Sequence, residues 1–389
     1  MVRGLSVFAV FALGCYQPKS TLECDDLASC TPVSDGAVDG DAVDDGPIND
    51  DAGPGELCAG TSNGLIGVKC FIPGADVVFD VNDTFNTDTD GRCDTTENTA
   101  CFVVGNSIVV NASATLDALG MRPLVLWSAT TIVISGTVDA SSRSGVVKLG
   151  SGANTTMCGA LDGEARIDIS PQPGGGGTGA SYRGGGGGGG RGRSTNGNTT
   201  ALGGPVGVSI GLRGGCAGGN GGHNLGSGGN GGGAVYLMAG ASIQVTGVIN
   251  ASGAGGGTAT SSSTQRPGGG GGGSGGLIGL EAPTINVTNA RLISLGGGGA
   301  SGGGDFDGAV GQKGGDPVVD PVARGAGGIQ SAPANSGGAG AAGDCSIGTG
   351  GNVMAGITGG GGGGGGGCGY IKAFGTVTGT AIATAPTLD

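Results

Sequence analysis

The sequence contains one histidine, His223, and aromatic residues supply only 3% of the chain. A single histidine leaves no basis for a catalytic or metal site built from several histidines in one chain. None of the 11 cysteines follows the Cys-x-x-Cys spacing that is typical of zinc sites. So few aromatic rings also argue against a conventional layered core. The sequence therefore favours neither a histidine-dependent enzyme nor a zinc protein.

Basic residues are also scarce, because 17 lysines and arginines face 30 aspartates and glutamates, for a net charge of −13. A nucleic-acid partner needs clustered lysine and arginine, so we expect none. The Arg-Gly-Gly pattern at Arg183 is similar to RNA-binding segments, but the acidic balance opposes that function. Matches to Gly-x-Gly-x-x-Gly arise in any run of glycine, and no Gly-Lys-Ser/Thr follows them, so a nucleotide site is rejected.

Glycine is abundant instead, with 99 of the 389 residues. It has no strict Gly-X-Y period, which excludes collagen. Such a composition indicates either low complexity or a solenoid built largely from backbone.

A short unit is written twice with little change, at 131–141 and 242–252, and a looser third copy begins at Thr284. An apolar run precedes each copy, eight positions before the central isoleucine, and begins at Leu124, Val235 or Leu277. A degenerate earlier copy aligns Ile108, Val110 and Leu116 with Ile132, Ile134 and Val138. Repetition of this kind is typical of stacked repeat architectures.

Within the unit, Ile132 and Ile134 alternate with polar or outward residues, which is the period of a half-buried strand. Gly136 and Gly247 permit corners after these strands. One unit cannot bury its own apolar side, whereas stacked units bury it on one another. We therefore expect an all-β fold, a parallel β-helix or β-solenoid with Ile132 stacked on Ile243.

Long glycine-rich insertions separate the rungs of this expected solenoid, at about 174–233, 254–275 and 297–367. Ordering glycine is entropically costly. The insertions are either flexible or form extended chains packed through backbone hydrogen bonds, as in polyproline-II-like bundles. The sequence leaves both alternatives open.

The first 15 residues are predicted to be a lipoprotein signal peptide. Arg3 precedes an apolar run at 5–13 that is too short to span a bilayer. The following Ala-Leu-Gly-Cys resembles a bacterial lipobox, in which Cys15 would be lipidated. Residues 16–56 are rich in aspartate and poor in apolar residues, which predicts an acidic, disordered tether. We therefore expect export to a bacterial outer membrane or cell surface.

Without Cys15, ten cysteines remain, an even number that suits an oxidising compartment. Proximity in sequence suggests the pairs Cys24–Cys30, Cys58–Cys70, Cys93–Cys101 and Cys345–Cys368, which leaves Cys158 with Cys216; other pairings stay open. Residues 57–101 then form a cysteine-rich neck, and 102–389 form the solenoid.

One loop of the neck, 86–97, fits the pattern of an EF-hand calcium loop. The oxygen ligands would be Asn86, Asp88, Asp90, Asp94 and Glu97, with Gly91 at the sharp turn. Its flanks carry no helical pattern, so a disulfide-closed turn is the alternative interpretation. Calcium is the one cofactor that the sequence suggests.

The signal with Cys15, the cysteine-bearing neck, the run from Arg122 to Val125 and the repeated glycine-flanked unit resemble glycine-rich surface lipoproteins of the myxobacterial type. The composition is also similar to that of the PE-PGRS proteins. This resemblance implies a location and an architecture, but no biochemical activity. The partners that we expect are a membrane, through the N-terminal lipid anchor, and surface polysaccharide or other cell-surface proteins.

Three functions compete. The first is a non-catalytic, lipid-anchored surface protein with a structural, adhesive or contact role, and the chain is then not an enzyme. The second is a carbohydrate-active enzyme, which needs carboxylates and a base converging on one face. The outward candidates for it are Asp139, Lys148, Asn250, Glu281, Arg291 and Lys372. The third is a calcium-dependent binding module.

Overall fold

The computed structural model describes residues 55–94, 98–145, 148–159, 173–192, 211–261, 265–304, 310–320, 322–328, 345, 348–350, 359–381 and 383–388. All of them belong to one compact unit, residues 47–389. This unit is all-β with parallel sheets. Helical structure among its described residues is limited to short 3-10 turns such as Gly222–Asn224. No helix among the described residues is long and apolar enough to cross a membrane.

The strands follow one another along the chain. They are β1 (Leu57–Ala59), β2 (Lys69–Phe71), β3 (Val77–Phe79), β4 (Asp83–Asn86), β5 (Cys101–Gly105), β6 (Ile108–Val110), β7 (Thr115–Leu119), β8 (Leu124–Ser128), β9 (Thr131–Ile134), β10 (Thr137–Asp139), β11 (Ala234–Ala239), β12 (Ser242–Val245), β13 (Val248–Asn250), β14 (Leu277–Asn286), β15 (Arg291–Ile293), β16 (Val318–Val319), β17 (Val322–Ala323), β18 (Tyr370–Thr378) and β19 (Ala383–Ala385).

Successive copies of the repeat lie one strand apart in parallel rows. One sheet has the order β4-β7-β10-β13-β15-β19. A second, nine-stranded sheet runs from β3 through β6, β9 and β12 to β14, and from β14 through β11 and β8 to β5, while β18 pairs with β14. Ile243 pairs in register with both Ile132 and Ile285. The stacking expected from the repeat is thus confirmed at its central isoleucines.

The degenerate first copy also aligns as predicted, since Ile108 pairs with Ile132 and Leu116 with Val138. The parallel rows begin earlier than residue 102, however. β3 pairs in parallel with β6, and β4 with β7. Part of the segment predicted as a neck therefore supplies the first strands of the stack, beginning at Val77.

The third copy departs from constant spacing. Val235 pairs with Ile278 and not with Leu277, whereas the central isoleucines remain in register. β14 continues from one row into the next, with a shift of register between Glu281 and Thr284. The corner that Gly240 and Ala241 form in the second copy is therefore one residue shorter in the third copy.

The core lies between the rows, where the inward isoleucines, valines and leucines are fully buried. Each such side chain contributes about 1.5–3 kcal/mol through burial. A second apolar cluster lies on the other face of β8 and β11, under the β1–β2 hairpin, and includes Trp127 and Tyr236. Both rings are fully buried.

The glycine-rich segments that the structure describes are ordered and hydrogen-bonded with a period of three. Every third amide of 269–275 donates to 361–367, in the pairs Gly269–Gly361, Gly272–Gly364 and Gly275–Gly367, each at 2.9 Å. Every third amide of 361–367 donates in turn to 174–180, and Gly177 and Ala180 donate back to 269–275. Three residues per turn is the repeat of the polyproline II helix. Of the two alternatives, packed extended chains are the one found in these segments.

Glycine is required there for its missing side chain. No glycine of 173–192, 268–276 or 359–369 has a positive φ, so any residue could adopt this backbone. A Cβ added at Gly176, Gly272 or Gly363 would instead overlap a carbonyl of a neighbouring segment. The glycine-rich segments that end at Gly233, Gly276 and Gly369 lead directly into β11, β14 and β18, so the bundle continues into the sheet.

Four disulfides join described cysteines: Cys58–Cys70, Cys93–Cys101, Cys158–Cys216 and Cys345–Cys368. They are the pairs that proximity in sequence suggests. Cys158–Cys216 spans 58 residues and ties the segment after β10 to the glycine bundle. Cys15, Cys24 and Cys30 lie outside the described residues, as do the signal peptide and nearly all of the tether.

Candidate binding groove

Polar side chains occupy one register position on four neighbouring strands. Thr84 of β4 pairs with Asp117 of β7, Asp117 pairs with Asp139 of β10, and Asp139 pairs with Asn250 of β13. Asp117, Asp139 and Asn250 each follow a residue whose side chain enters the core, so the alternation of the strand turns these three side chains outward. Thr84 shares their register position but does not follow a core residue. Adjacent strands lie about 4.8 Å apart. The sheet therefore presents a regular column of polar groups.

Lys148 and Arg143 join this column to form an ion cluster of Asp117, Asp139, Arg143 and Lys148. Lys148 forms ion pairs with Asp117 and, at 3.0 Å, with Asp139 Oδ2. The Arg143 guanidinium contacts the same Oδ2 atom at 2.5 Å. An antiparallel bridge between Arg143 and Lys148 returns the chain after β10, which brings the lysine back over the column.

Asp139 is the centre of the cluster and is 3% exposed. Its Oδ1 atom accepts hydrogen bonds from the Ser141 amide at 3.0 Å and from Asn250 Nδ2 at 3.2 Å. Burial alone would raise the pKa of this carboxyl, but the charges of Lys148 and Arg143 and the bond from Ser141 outweigh burial and lower the pKa below its usual value. Asp139 is therefore ionised at neutral pH.

Two adjoining cavities lie over this face. The larger, about 510 Å³, is lined by polar residues of β4, β7 and β10 together with Arg143 and Lys148. The smaller, about 290 Å³, is lined by polar residues that include Ser141, Asn250, Ser252 and Asp316, and by Pro317 and Val318. Arg143 lines both cavities. We call the two together the groove.

Most charges of the groove are paired. The carboxylates of Asp117 and Asp139 face Arg143 and Lys148. Asp83, which also lines the larger cavity, forms an ion pair with Arg92. Asp316, which lines the smaller cavity, accepts hydrogen bonds from the Ser144 and Gly255 amides. The groove therefore carries many hydrogen-bonding groups, and three of its four carboxylates are paired with cations of the protein.

Two side chains of the cluster are available to a ligand. The Arg143 side chain is 51% exposed and that of Asp117 is 34% exposed. Lys148 and Asp139 are buried beneath them. Buried, fully paired groups hold the exposed ones in place, so the groove is organised before any ligand arrives.

Part of this site is predicted from the sequence. Asp139, Lys148 and Asn250 were among the scattered candidates, and the structure brings them together. Asp117 and Arg143 were missed. The alignment of Leu116 with Val138 already places Asp117 beside Asp139, so the signal for Asp117 was present.

The remaining candidates lie elsewhere. Glu281, expected to face outward, is 1% exposed, and it accepts hydrogen bonds from Tyr236 Oη and the Thr61 amide under the β1–β2 hairpin. Its burial follows from the hairpin, which covers that face of the sheet. Arg291 pairs with Asp320 at 3.3 Å, and Lys372 lies 5.2 Å from the Tyr370 ring centroid.

In the loop suggested for calcium, side-chain oxygens have partners from the protein. Asn86 Oδ1 accepts the Asp88 amide, and the Asp88 carboxylate accepts the Met121 amide. Asp90 is paired with Arg92, whose hydrogen bonds lower the pKa of the Asp90 carboxyl. Asp94 follows Cys93, which is closed by the disulfide to Cys101.

Glu97 lies outside the described residues. No group of three or more His, Cys, Asp or Glu side chains among the described residues is arranged to hold a metal ion. Calcium binding here stays a prediction, and a cation would have to replace the contacts given above.

Comparisons with protein-family models, with curated proteins and with solved structures each gave no match. The groove is therefore interpreted from its own geometry.

Proposed function

We propose that this chain is a non-catalytic, lipid-anchored protein of the bacterial cell surface with a structural and adhesive role. The observation that carries the proposal is the glycine bundle. Its described segments are held by backbone hydrogen bonds with a period of three, and a Cβ at glycines such as Gly176, Gly272 and Gly363 would overlap a neighbouring backbone. Such a body offers rigidity and extent, which suit a surface scaffold better than an enzyme that needs many placed side chains.

The parallel rows support a β-solenoid as the finer description of this scaffold. Strands of successive copies pair in register in each row. The bundle would then extend the rungs on one side, because its segments enter β11, β14 and β18 directly. In a solenoid each rung contacts mainly its neighbours, so the body can be long without a large globular core.

The disulfides support an exported location, because such bonds persist in oxidising compartments. The lipobox-like sequence at Cys15 and the acidic segment 16–56 supply the anchor and the spacer of the proposal. A single acyl chain binds membranes weakly, whereas the multiple chains of a bacterial lipoprotein anchor it stably.

The chemistry of the ion cluster also favours a non-catalytic role. A general acid needs a pKa raised toward neutrality. The pKa of the Asp139 carboxyl is lowered, and both of its oxygens already have partners. Asp139 is thus suited to holding Lys148 and Arg143 in place.

To test lipidation and location, the full chain is expressed in a Gram-negative host that is supplied with radiolabelled palmitate. We expect a labelled protein that partitions with detergent and is cleaved by protease added to intact cells. The Cys15→Ala variant should lose the label and leave the membrane fraction. Wild-type protein that stays unlabelled and cytoplasmic would refute the proposed location.

Adhesion has its own measurement. Beads coated with the purified protein should attach to bacterial cells or to matrix polysaccharide more than beads coated with the reduced, unfolded chain. Equal attachment of both would refute an adhesive role that depends on the fold.

A second candidate function is a carbohydrate-active enzyme. One observation favours it: Lys148 forms ion pairs with both Asp117 and Asp139 in a groove. Acid and base groups so placed are what glycosidic bond cleavage requires. Incubation with a panel of polysaccharides would release reducing ends or unsaturated products, and Asp139→Asn should abolish them; a lack of product with every polymer would remove this candidate.

A further inference from the structure

We propose that the groove over β7, β10 and β13 binds an extended, uncharged oligosaccharide, with Arg143 at the centre of the bound chain. This inference deepens the proposed adhesive function and rests on it, since it assigns a chemical class to what the surface protein contacts. It is carried by the shape of the groove, its hydrogen-bonding groups and the pairing of most of its charges.

The shape suits a chain that is longer than one sugar. The two cavities, about 510 and 290 Å³, meet at Arg143. Beneath them the polar column repeats at each strand, about every 4.8 Å. This spacing is close to the length of one pyranose unit in an extended polysaccharide. Successive sugars can therefore meet successive strands.

The hydrogen-bonding groups suit hydroxyls, which both donate and accept. In the larger cavity, Asp117 accepts, Arg143 donates, and the Thr115 hydroxyl does both. In the smaller cavity, Ser141, Ser252 and Asn250 play the same mixed role. Pro317 and Val318 also line this cavity and give it an apolar part, against which the carbon face of a sugar ring can pack.

The pairing of charges in the groove selects against charged polymers. Asp83, Asp117 and Asp139 are each paired with a cation of the protein, and Asp316 is held by the Ser144 and Gly255 amides. A polyanion would meet the carboxylates, and a polycation would meet Arg143 and Lys148. A neutral ligand avoids both penalties.

A peptide is less suitable than a sugar chain. Extended peptides bind by adding a strand to an open sheet edge. The strands under the groove are interior, because β7 pairs with β4 and β10, and β10 pairs with β7 and β13. The groove therefore offers side chains and no free backbone edge.

The test titrates the full chain, purified in detergent, with hexasaccharides of β-1,4-glucose, β-1,4-xylose and α-1,4-glucose in a calorimeter. Polygalacturonate and chitosan oligomers are the acidic and basic comparators. We expect at least one neutral hexasaccharide to bind, with an affinity that changes little between low and high salt. Preferential binding of either charged polymer, or binding of none of the neutral ones, would overturn the proposal.

Variants locate the site. Arg143→Gln should weaken binding about tenfold, because a hydrogen bond from a charged donor is lost. Thr115→Val keeps the shape of the strand residue and should weaken binding about threefold through its missing hydroxyl. Lys372→Gln, which removes a cation from the other sheet, is the control and should bind like the wild type.

Thermal unfolding of each variant shows that it is folded before it is titrated. Binding that neither Arg143→Gln nor Thr115→Val weakens would overturn the assignment to this groove. Failure of the proposed function is distinguishable from this result, because palmitate labelling and surface protease cleavage do not depend on the groove. Release of reducing ends during the titration would show cleavage as well as binding.

Discussion

The ring of Tyr236 lies directly over Gly279, its register partner on the neighbouring strand. A Cβ added at Gly279 would overlap Cδ2 and Cε2 of the ring. Glycine at this position of the third copy therefore makes room for the tyrosine of the second. Tyr236 uses that room to reach Glu281 and the Leu65 amide, and so fastens the hairpin loop to the sheet.

We predict that Gly279→Ala destabilises the fold by about 1–3 kcal/mol, because the ring must move from its place. Chemical denaturation measures the change. Gly74→Ala is the matched control, since a Cβ at Gly74 meets open space. In a Tyr236→Ala background the cost of Gly279→Ala should shrink, and equal costs in both backgrounds would contradict the proposed overlap.

The glycine bundle gives a prediction whose sign is decisive. Replacing a glycine by alanine stabilises a protein by about 0.4–1 kcal/mol where alanine fits the native backbone without strain, because the unfolded chain loses freedom. At Gly272 the new methyl group would instead overlap the Gly297 carbonyl. We expect Gly272→Ala to destabilise by about 1–3 kcal/mol.

Hydrogen exchange supplies a second measurement of the same bundle. The amides of Gly269, Gly272 and Gly275 are bonded to carbonyls, and they should exchange slowly. Gly91→Ala is the control variant for the stability change of Gly272→Ala, because a Cβ at Gly91 meets open space. Fast exchange of the three amides, together with a stabilising Gly272→Ala, would contradict ordered packing.

The repeat allowed the strand rows to be predicted, and physical reasons limit how far that prediction reached. Ile132, Ile243 and Leu116 carry a strong period-two signal with little competing information, so their register follows from alignment. The shift at Ile278 could not be predicted, because shortening a corner by one residue leaves the apolar pattern of β14 unchanged.

The glycine segments were undecided in the sequence for a related reason. Residues without side chains show no pattern of inward and outward positions, so only the structure shows the bond at every third amide.

Only part of the groove could be predicted from the sequence. Arg143 and Lys148 come together through a bridge after β10 that no repeat encodes.

The long disulfide should matter more than the short one. Cys158–Cys216 closes a loop of 58 residues and Cys93–Cys101 one of 8. Loop-closure entropy then predicts a loss of about 4 kcal/mol when the first pair is changed to alanine and about 2.5 kcal/mol for the second. Urea midpoints of the two double variants measure the difference, and a larger loss for the short loop would contradict this account.

Asp139 predicts a pH dependence of stability. A carboxyl whose pKa is lowered by folding stabilises the protein above its unfolded pKa of about 3.9, and that contribution is lost as the pH falls through the lower, folded pKa. We expect Asp139→Asn to cost about 3 kcal/mol at pH 7, because Lys148 stays buried with one partner fewer. The gap between variant and wild type should narrow as the pH falls below about 4.

Thermal unfolding between neutral and acidic pH measures that gap. Asp320→Asn is the matched control, because its ion pair with Arg291 is largely exposed and should contribute little at any pH. A gap for Asp139→Asn that stays constant down to the lowest pH would contradict the role given to Lys148 and Arg143.

The bond at every third amide also bears on how the length of this chain can vary between related sequences. An insertion or deletion of three residues in a glycine segment returns every donor to the side it faced before. A change of one or two residues turns the donors toward the wrong neighbour and leaves their N–H groups without an acceptor. Length variation in these segments should therefore come in multiples of three, a rule of spacing that holds even where no side chain is left to be compared.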